Sequence, residues 1–471
     1  MKLVANSLNF LVALLYLLSN TSQQAIQAKG LIQTSQKSSP ISVAGYYNYD
    51  PPPKPVTRSP VETALDEENL TTAVSEIETT WKKQYQDYFR RSFPDTSITA
   101  KDIANTLKIR AKQTGNRSAL IYVVPMQQQL ELVIITPGNQ PIHKRIVETN
   151  SQKLLEQVSE LKKYLTTPSF RDTNRYLPAA QKLYQWMIKP LETELETNKI
   201  NNLILCMGVG LRTLPLAALH DGKSFLIEKY SLSRIPAFKL TDTLYTDLKK
   251  SQVLAMGAST FKDQNPLPAV PLELSTITQK FWKGKEFLNQ DFTLKNLQSQ
   301  RNEADFKIIH LATHADFQSG TSKNSYVQFW DTKLTLDQMS KLGWNNPPVE
   351  LLVLSACRTA IGNEQAELGF AGLAVQSGVK SAIASLWYIS DEGTLALMTQ
   401  LYHQLQTAPI KAEALKIAQI AMLKGQVYLE NGQLHTNQGN IALPAELAGI
   451  ANKNFSHPYY WAAFTVVGSP W

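Results

Sequence analysis

Cysteine is scarce in this sequence: the 471 residues include two, Cys206 and Cys357. Exported domains that rely on disulfides are much richer in cysteine, so a disulfide framework is excluded and the fold must depend on an apolar core. Charged residues are also sparse, at 18%, and the net charge of +8 is dispersed without a run of five basic residues. This pattern is typical of an ordinary solvated surface and disfavours nucleic acid as a partner.

Several ligand-binding and catalytic signatures are absent as well. The sequence has no Gly-x-Ser-x-Gly segment, which would indicate an α/β serine hydrolase, and no phosphate-binding loop of the Walker type. Gly208 and Gly210 lack the third glycine of a dinucleotide-binding fingerprint. The seven histidines are not spaced with acids or cysteines as metal ligands are. We therefore expect neither a metal ion nor a cofactor.

The amino terminus is predicted to direct export. Its apolar run, residues 8–18, is shorter than the ~20 residues that span a bilayer and is typical of a signal-peptide core. Residues 29–60 are rich in Ser, Gln, Thr and Pro, as flexible linkers are. We predict a signal peptide over residues 1–28 and a disordered linker over 29–60, and we expect a periplasmic or extracellular protein after cleavage. An uncleaved membrane anchor is the alternative.

A helical segment is predicted over residues 61–114. Apolar residues recur there every three or four positions and form one stripe along a helix, and a second helix is expected over 100–113. No repeat of ~34 residues occurs, so a tetratricopeptide-type array is not expected. The stripe consists of Val74, Ile77, Trp81, Tyr85 and Phe89.

The remainder of the chain alternates between strand and helix patterns, which predicts an α/β fold with a mostly parallel sheet flanked by helices. An early hairpin is expected over 119–125 and 130–136. The other predicted strands are 203–206, 253–256, 307–312, 351–354, 382–386 and 464–467. The predicted helices are 150–166, 175–198, 237–249, 270–281, 335–342, 366–377, 391–406 and 411–425.

Two of the apolar runs, 308–314 and 351–357, end in His314 and Cys357. Buried parallel strands read as continuous apolar runs, and reactive groups gather at their carboxyl ends. A thiol needs a neighbouring imidazole, because the thiolate is the nucleophile and a free cysteine has a pKa of ~8.5. Both residues are expected at the start of loops, where the backbone N–H groups of Cys357 and Ala315 could hold an oxyanion. The pattern predicts a cysteine peptidase or a relative of one.

For four other candidate residues a structural role is an alternative to a functional one. Cys206 has no histidine motif beside it and is expected to be a buried structural residue. His310 lies inside an apolar run, which favours a hydrogen-bonded core histidine. Asp391 opens a predicted helix, so it either caps that helix or contacts substrate in the cleft. Asp316 is either a turn residue or part of the cleft wall.

The segments 310–314 (His-Leu-Ala-Thr-His) and 354–359 (Leu-Ser-Ala-Cys-Arg-Thr) resemble the paired signatures of the CHAT domain, a caspase-like branch of clan CD cysteine peptidases. Residues 211–219, 385–387 and 457–464 resemble further motifs of this family, in the family's order. The resemblance covers about 115–471. It implies a caspase-hemoglobinase fold and a cysteine endopeptidase with His314 as general base and Cys357 as nucleophile.

Three positions depart from the family pattern. Ala315 follows the histidine where glycine is common, Arg358 follows the cysteine where glutamate is common, and Ser355 stands where basic-specific relatives place an aspartate. The substrate is therefore expected to be a protein or peptide of open specificity. The alternative function is a non-catalytic protein-interaction module on a caspase-like scaffold. A third possibility is a surface-associated protein in which the helical segment 61–114 docks a partner.

Overall fold

A large central sheet organises the described part of this protein. The computed structural model describes residues 58–359 and 363–471, and within them 13 strands form one sheet and four form a second, small one. The predicted signal peptide and most of the predicted linker, residues 1–57, lie outside the described residues. Among those described, no helix is both long and apolar enough to cross a membrane.

The strands are numbered in chain order. They are β1 Ser118–Pro125, β2 Leu130–Ile135, β3 Ile142–Ile146, β4 Asn202–Met207, β5 Ser231–Ile235, β6 Gln252–Gly257, β7 Gly284–Leu288, β8 Phe306–Phe317, β9 Tyr326–Gln328, β10 Lys333–Thr335, β11 Leu351–Thr359, β12 Ser381–Ser385, β13 Tyr428–Glu430, β14 Gln433–Thr436, β15 Gly439–Ala442, β16 Lys453–Asn454 and β17 Phe464–Gly468.

The central sheet consists of two parallel blocks. In the first, β7, β6, β8, β11 and β12 are parallel neighbours in that order. In the second, β17, β5, β4 and β1 are parallel neighbours, followed by the antiparallel strands β2 and β3. The blocks meet where β12 pairs antiparallel with β17. The prediction of a mostly parallel, helix-flanked α/β sheet is confirmed, and its physical basis is visible in β4 and β12, which are buried along their whole length.

Helices lie between most of the strands. The α-helices are Pro60–Asp66, Leu70–Phe89, Ala100–Thr114, Ser151–Thr166, Leu177–Met187, Glu192–Thr197, Leu226–Lys229, Val270–Ser275, Leu294–Glu303, Leu336–Met339, Glu364–Ala371, Leu373–Ser377, Asp391–Leu405, Lys411–Leu423, Ala445–Ala448 and Pro458–Trp461. A π-helical turn, Thr276–Phe281, continues the helix Val270–Ser275.

The amino-terminal helices pack onto this sheet. Ser59 and Thr99 accept hydrogen bonds from backbone N–H groups of the first turn and so start their helices. The predicted apolar stripe of helix Leu70–Phe89 is confirmed, since all five of its residues are buried. From the same helix, the buried carboxylate of Glu78 accepts hydrogen bonds from the Tyr122 hydroxyl at 2.8 Å and the Phe238 N–H at 2.8 Å. The stripe is therefore used within the protein, and residues 58–471 form one compact unit.

Two predictions about element limits are wrong. Strands β8 and β11 continue to Phe317 and Thr359, so His314 and Cys357 lie within strands and not at the start of loops. The polar residues near the end of β8 remain extended because they have strand partners in both β9 and β11. The predicted helix 237–249 is reduced to a single 3₁₀ turn, Phe238–Leu240.

Candidate active site

Strands β8 and β11 bring the histidine and cysteine segments side by side. They are parallel neighbours, and the register pairs His314 with Ala356 and Ala315 with Cys357. Neighbouring strands run about 4.8 Å apart, so the two backbone segments lie side by side. The register shifts just before this point, because β8 advances three residues from Leu311 to His314 while β11 advances two. Such bulges re-aim side chains and are frequent beside active sites.

The imidazole of His314 is fixed by one backbone carbonyl. Its Nε2 lies 2.8 Å from the carbonyl oxygen of Asn265, in the loop that follows β6. A carbonyl can only accept a hydrogen bond, so Nε2 carries the proton and Nδ1 has the free lone pair. The ring packs edge-on against Phe261, with centroids 4.6 Å apart, and stacks at 6.4 Å with Tyr388. The histidine is thus oriented as a base whose Nδ1 can accept a proton.

Burial lowers the pKa of His314 from its ordinary value of 6.5, and the hydrogen bond to Asn265 opposes this only in part. We expect the ring to titrate below pH 6.5 in the Cys357→Ala variant, in which no thiol proton couples to it, and to be neutral at pH 7. The measurement is an NMR titration of the ring protons, assigned by their loss in His314→Gln. Phe261→Ala, which admits water to the ring, should return the pKa towards its ordinary value. A pKa of His314 above that value would contradict the assignment.

Asp391 is placed beside the loop that holds His314. Ser390 is the N-cap of helix Asp391–Leu405, so the interpretation of Asp391 as the cap is wrong. Its carboxylate accepts a hydrogen bond from the backbone N–H of Ala269, at the end of the loop that carries Asn265. Burial raises the pKa of Asp391 to about 7, and the nearby carboxylate of Glu273 adds to this. Asp391 therefore anchors the loop, and its contact with substrate stays a prediction.

His310 and Asp316 lie on the same strand as His314. His310 is fully buried, with Nε2 2.7 Å from Glu273 and Nδ1 3.0 Å from the Tyr402 hydroxyl, which confirms the expected hydrogen-bonded core histidine. Asp316 pairs with Tyr326 of β9, so it belongs to a strand and not to a turn. Neither residue contacts the imidazole of His314.

Cys206 is remote from Cys357. It is free and fully buried on β4, where its thiol donates to the Pro236 carbonyl at 3.4 Å, and burial raises its pKa well above the ordinary value. Three strands lie between β4 and β11, which separates them by four strand spacings or about 19 Å. Disulfide-bonded cysteines have Cα atoms within about 7 Å, so these two cannot pair in this fold.

A buried polar chain supports the helix Glu364–Ala371, which follows the cysteine strand. Lys162 donates to the Thr213 hydroxyl at 2.7 Å, and this hydroxyl donates to Glu367 at 2.8 Å. All three residues are at most 4% exposed. Burial lowers the pKa of Lys162 to about 8, and the charge of Glu367 opposes the shift. Thr213 belongs to the motif 211–219, so one residue of this motif joins the second block of the sheet to the helix that follows the cysteine strand.

Sequence reasoning missed Asn265, Phe261 and this polar chain. Asn265 contributes a backbone carbonyl, which every residue possesses, so its identity carries no signal. Tyr388 follows directly on the motif 385–387 and was within reach of the sequence argument. Among the described residues, no group of three or more His, Cys, Asp or Glu side chains could hold a metal ion.

Fold and site together define the class of this protein: an α/β protein in which a histidine-bearing strand lies beside a parallel cysteine-bearing strand. The model of the CHAT domain family matches residues 177–469. The match covers more than half of the chain, and the chain belongs to the CHAT domain family.

Two kinds of complex are among the solved structures similar to this one. The separase–securin complex of Saccharomyces cerevisiae matches with a TM-score of 0.49 and 9% identity, over 87% of this chain and 34% of that chain. A second structure of this complex matches with a TM-score of 0.45 and 10% identity, over 86% and 34%. The complex of the pro- and mature domains of Porphyromonas gingivalis RgpB matches with a TM-score of 0.36 and 12% identity, over 68% and 76%. This chain spans about a third of the separase chains. No curated protein sequence matches it.

Proposed function

We propose that the protein is a cysteine endopeptidase in which His314 and Cys357 form a catalytic dyad. The observation that carries the proposal is the orientation of His314. Its Nε2 proton is held by the Asn265 carbonyl, which leaves Nδ1 to accept the thiol proton beside the strand that carries Cys357. A base on one strand and a thiol on its parallel neighbour is an arrangement that nucleophilic catalysis uses, and the resemblance of 310–314 and 354–359 to the CHAT signatures supports the same roles.

The reaction follows from these roles. His314 removes the proton of the Cys357 thiol, and the thiolate attacks the carbonyl carbon of the substrate, whose oxygen becomes an oxyanion. The imidazolium then gives its proton to the leaving amine, and water hydrolyses the thioester. Of the two proposed oxyanion donors, Cys357 has its strand partner in β8; within the described residues, β12 pairs with β11 at Leu352 and Val353 and not at Cys357. Ala315 has strand partners in both β9 and β11. We therefore assign the larger part of the oxyanion stabilisation to the backbone N–H of Cys357.

Export completes the proposal. The apolar run at residues 8–18 supports a signal peptide over 1–28, and the mature protein would act in the periplasm or outside the cell.

The alkylation rate of Cys357 against pH tests the dyad directly. Because an imidazole base stabilises the thiolate, we expect the rate to reach its plateau well below pH ~8.5, where a free cysteine ionises. In His314→Ala this plateau should disappear and the rate should follow an ordinary thiol. Cys206 is the internal control: it is fully buried and its raised pKa keeps it protonated, so it should stay unmodified in the folded protein.

The opposite outcome selects the alternative function. If Cys357 reacts as an ordinary thiol in the wild type, or if His314→Ala leaves its rate profile unchanged, the dyad is wrong. The protein would then be better described as a non-catalytic interaction module on the same fold, a possibility to which Ala315 and Arg358 already give weight.

A further inference from the structure

A cleft opens directly beside His314. It has a volume of about 570 Å³ and lies between the loop after β6, residues 260–264, and the β9–β10 hairpin. Phe261 lines the cleft and also packs against the imidazole of His314 at 4.6 Å. Clefts of this volume accommodate one or two large side chains. A polypeptide that passes His314 would therefore meet this cleft next to Phe261.

The cleft displays an aromatic ring on a fixed backbone. Trp330 lines it and is 42% exposed, although it is one of the largest apolar side chains of the protein. The backbone N–H of Trp330 donates to the Phe292 carbonyl at 3.0 Å. The preceding residue, Phe329, is fully buried against Phe292 with ring centroids 4.5 Å apart. These contacts anchor the backbone of the turn, so Trp330 is presented at the cleft, where its exposed indole offers a stacking surface.

Charge in the cleft is positive. Lys262 and Lys333 both line it and are exposed, against one aspartate, Asp263. Neither lysine has an ion-pair partner within the described residues. The ammonium of Lys333 lies 4.2 Å from the ring centroid of Tyr326, at the wall of the cleft. An occupant with a carboxylate beside an aromatic ring would match both the cations and the exposed indole.

We propose that this cleft is a specificity subsite for an aromatic residue next to an acidic residue in the peptide substrate, with Trp330 stacking on the ring and Lys333 and Lys262 facing the carboxylate. The assignment rests on the proposed peptidase function, since it gives the cleft a substrate segment as its occupant. Peptide binding can be measured without catalysis, so the test of the subsite can fail separately from the test of the dyad.

The test is peptide binding to the full chain carrying Cys357→Ala, which cannot turn substrate over. Fluorescein-labelled peptides of neutral residues carry a Phe-Glu, Ala-Glu, Phe-Gln or Ala-Gln pair, stepped through successive positions, and Kd is read from fluorescence anisotropy. At the position that reaches the cleft, we expect Phe-Glu to bind about tenfold more tightly than Ala-Glu, as an aromatic stack of ordinary strength provides. The affinity advantage of the Phe-Glu peptide over the Phe-Gln peptide should decrease as added salt screens the charges of the lysines.

Variants separate the two contributions. Trp330→Ala should remove the preference for Phe and keep the preference for Glu, and Lys333→Gln should do the reverse. Leu244→Ala and Lys250→Gln are matched controls, because both residues are exposed and lie before β6, outside the cleft, and they should change neither preference. Equal affinity for all four peptides, or a Phe preference that survives Trp330→Ala, would overturn the subsite. If the alkylation test fails and the peptides are still discriminated, the peptidase proposal is wrong and the subsite proposal is retained.

Discussion

Cys357→Ala is expected to abolish peptide cleavage and to leave the melting temperature nearly unchanged. The proposed reaction forms a covalent bond to this sulfur, so its removal leaves no nucleophile, and we expect kcat to fall about 10³-fold or more. The substitution deletes one heavy atom and leaves the backbone pairing of β11 with β8 intact. The measurement is steady-state cleavage of a quenched fluorescent peptide together with thermal unfolding.

Cys206→Ala is the matched control for this prediction. Cys206 is fully buried on β4 and donates to the Pro236 carbonyl, so its truncation should leave kcat unchanged and lower the free energy of unfolding by about 1 kcal/mol. The two cysteines should thus show opposite patterns, with activity lost at one and stability lost at the other. Cleavage that persists in Cys357→Ala would contradict the proposed nucleophile.

The second large effect is expected at Glu367, the buried carboxylate on the helix that follows the cysteine strand. Glu367 lies 3.8 Å from Lys162, and its charge also opposes the fall in the pKa of the buried Arg234 to about 10. Glu367→Gln keeps the shape of the side chain and removes its negative charge. The buried cations Lys162 and Arg234 then lose the carboxylate that opposes their charge. Breaking a buried ion pair from one side costs about 3–5 kcal/mol, and we expect a loss of unfolding free energy in this range.

The pH dependence of this loss follows from Lys162. Its pKa in the folded protein is about 8, below the ordinary 10.5, so at higher pH the unfolded state binds more protons and the folded state gains stability. Without the charge of Glu367 this pKa falls further, and the variant sheds the buried charge at a lower pH than the wild type does. The difference in unfolding free energy between the wild type and Glu367→Gln should therefore become smaller as the pH rises towards about 8.

Glu364→Gln is the control for Glu367→Gln. Glu364 lies one turn earlier on the same helix and is exposed, so its neutralisation should change the unfolding free energy by no more than about 0.5 kcal/mol. Urea unfolding of both variants between pH 6 and pH 9 gives the comparison. Equal effects at the two positions would show that the charge of Glu367 is not needed inside the protein.

Much of the fold was accessible from local pattern. The stripe on helix Leu70–Phe89 and the hairpin of β1 and β2 have the periods of a half-buried helix and of buried strands, and both are present. Nine short strands were not predicted: β3, β5, β7, β9, β10 and β13 to β16. The first three show why. Strands β3 and β7 are part-exposed and contain charged residues, and β5 (Ser-Leu-Ser-Arg-Ile) contains two serines and an arginine, so none of the three presents a continuous apolar run. The predicted helix 237–249 is wrong, since only the 3₁₀ turn Phe238–Leu240 forms in this range.

The candidate site divides in the same way. The apolar runs identified the strands that carry His314 and Cys357, because parallel strands that are buried on both faces read as continuous apolar runs. Their extension to Phe317 and Thr359 was not predictable, since it depends on pairing with the distant strand β9 and on the contact of β8 with β11. Register between strands is a property of the assembled sheet and not of either run alone.

The sequence by itself determined the α/β architecture, the helical segment packed on it, and the two strands that carry the candidate dyad. These features follow from hydrophobic periodicity, which is local and which each segment expresses without its neighbours. Only the tertiary structure decided that the Asn265 carbonyl orients His314, that Asp391 anchors the same loop, and that Trp330 faces a cationic cleft beside the site. Each of these contacts joins segments far apart in the chain, and several involve backbone groups that every residue possesses, so only the folded chain could reveal them.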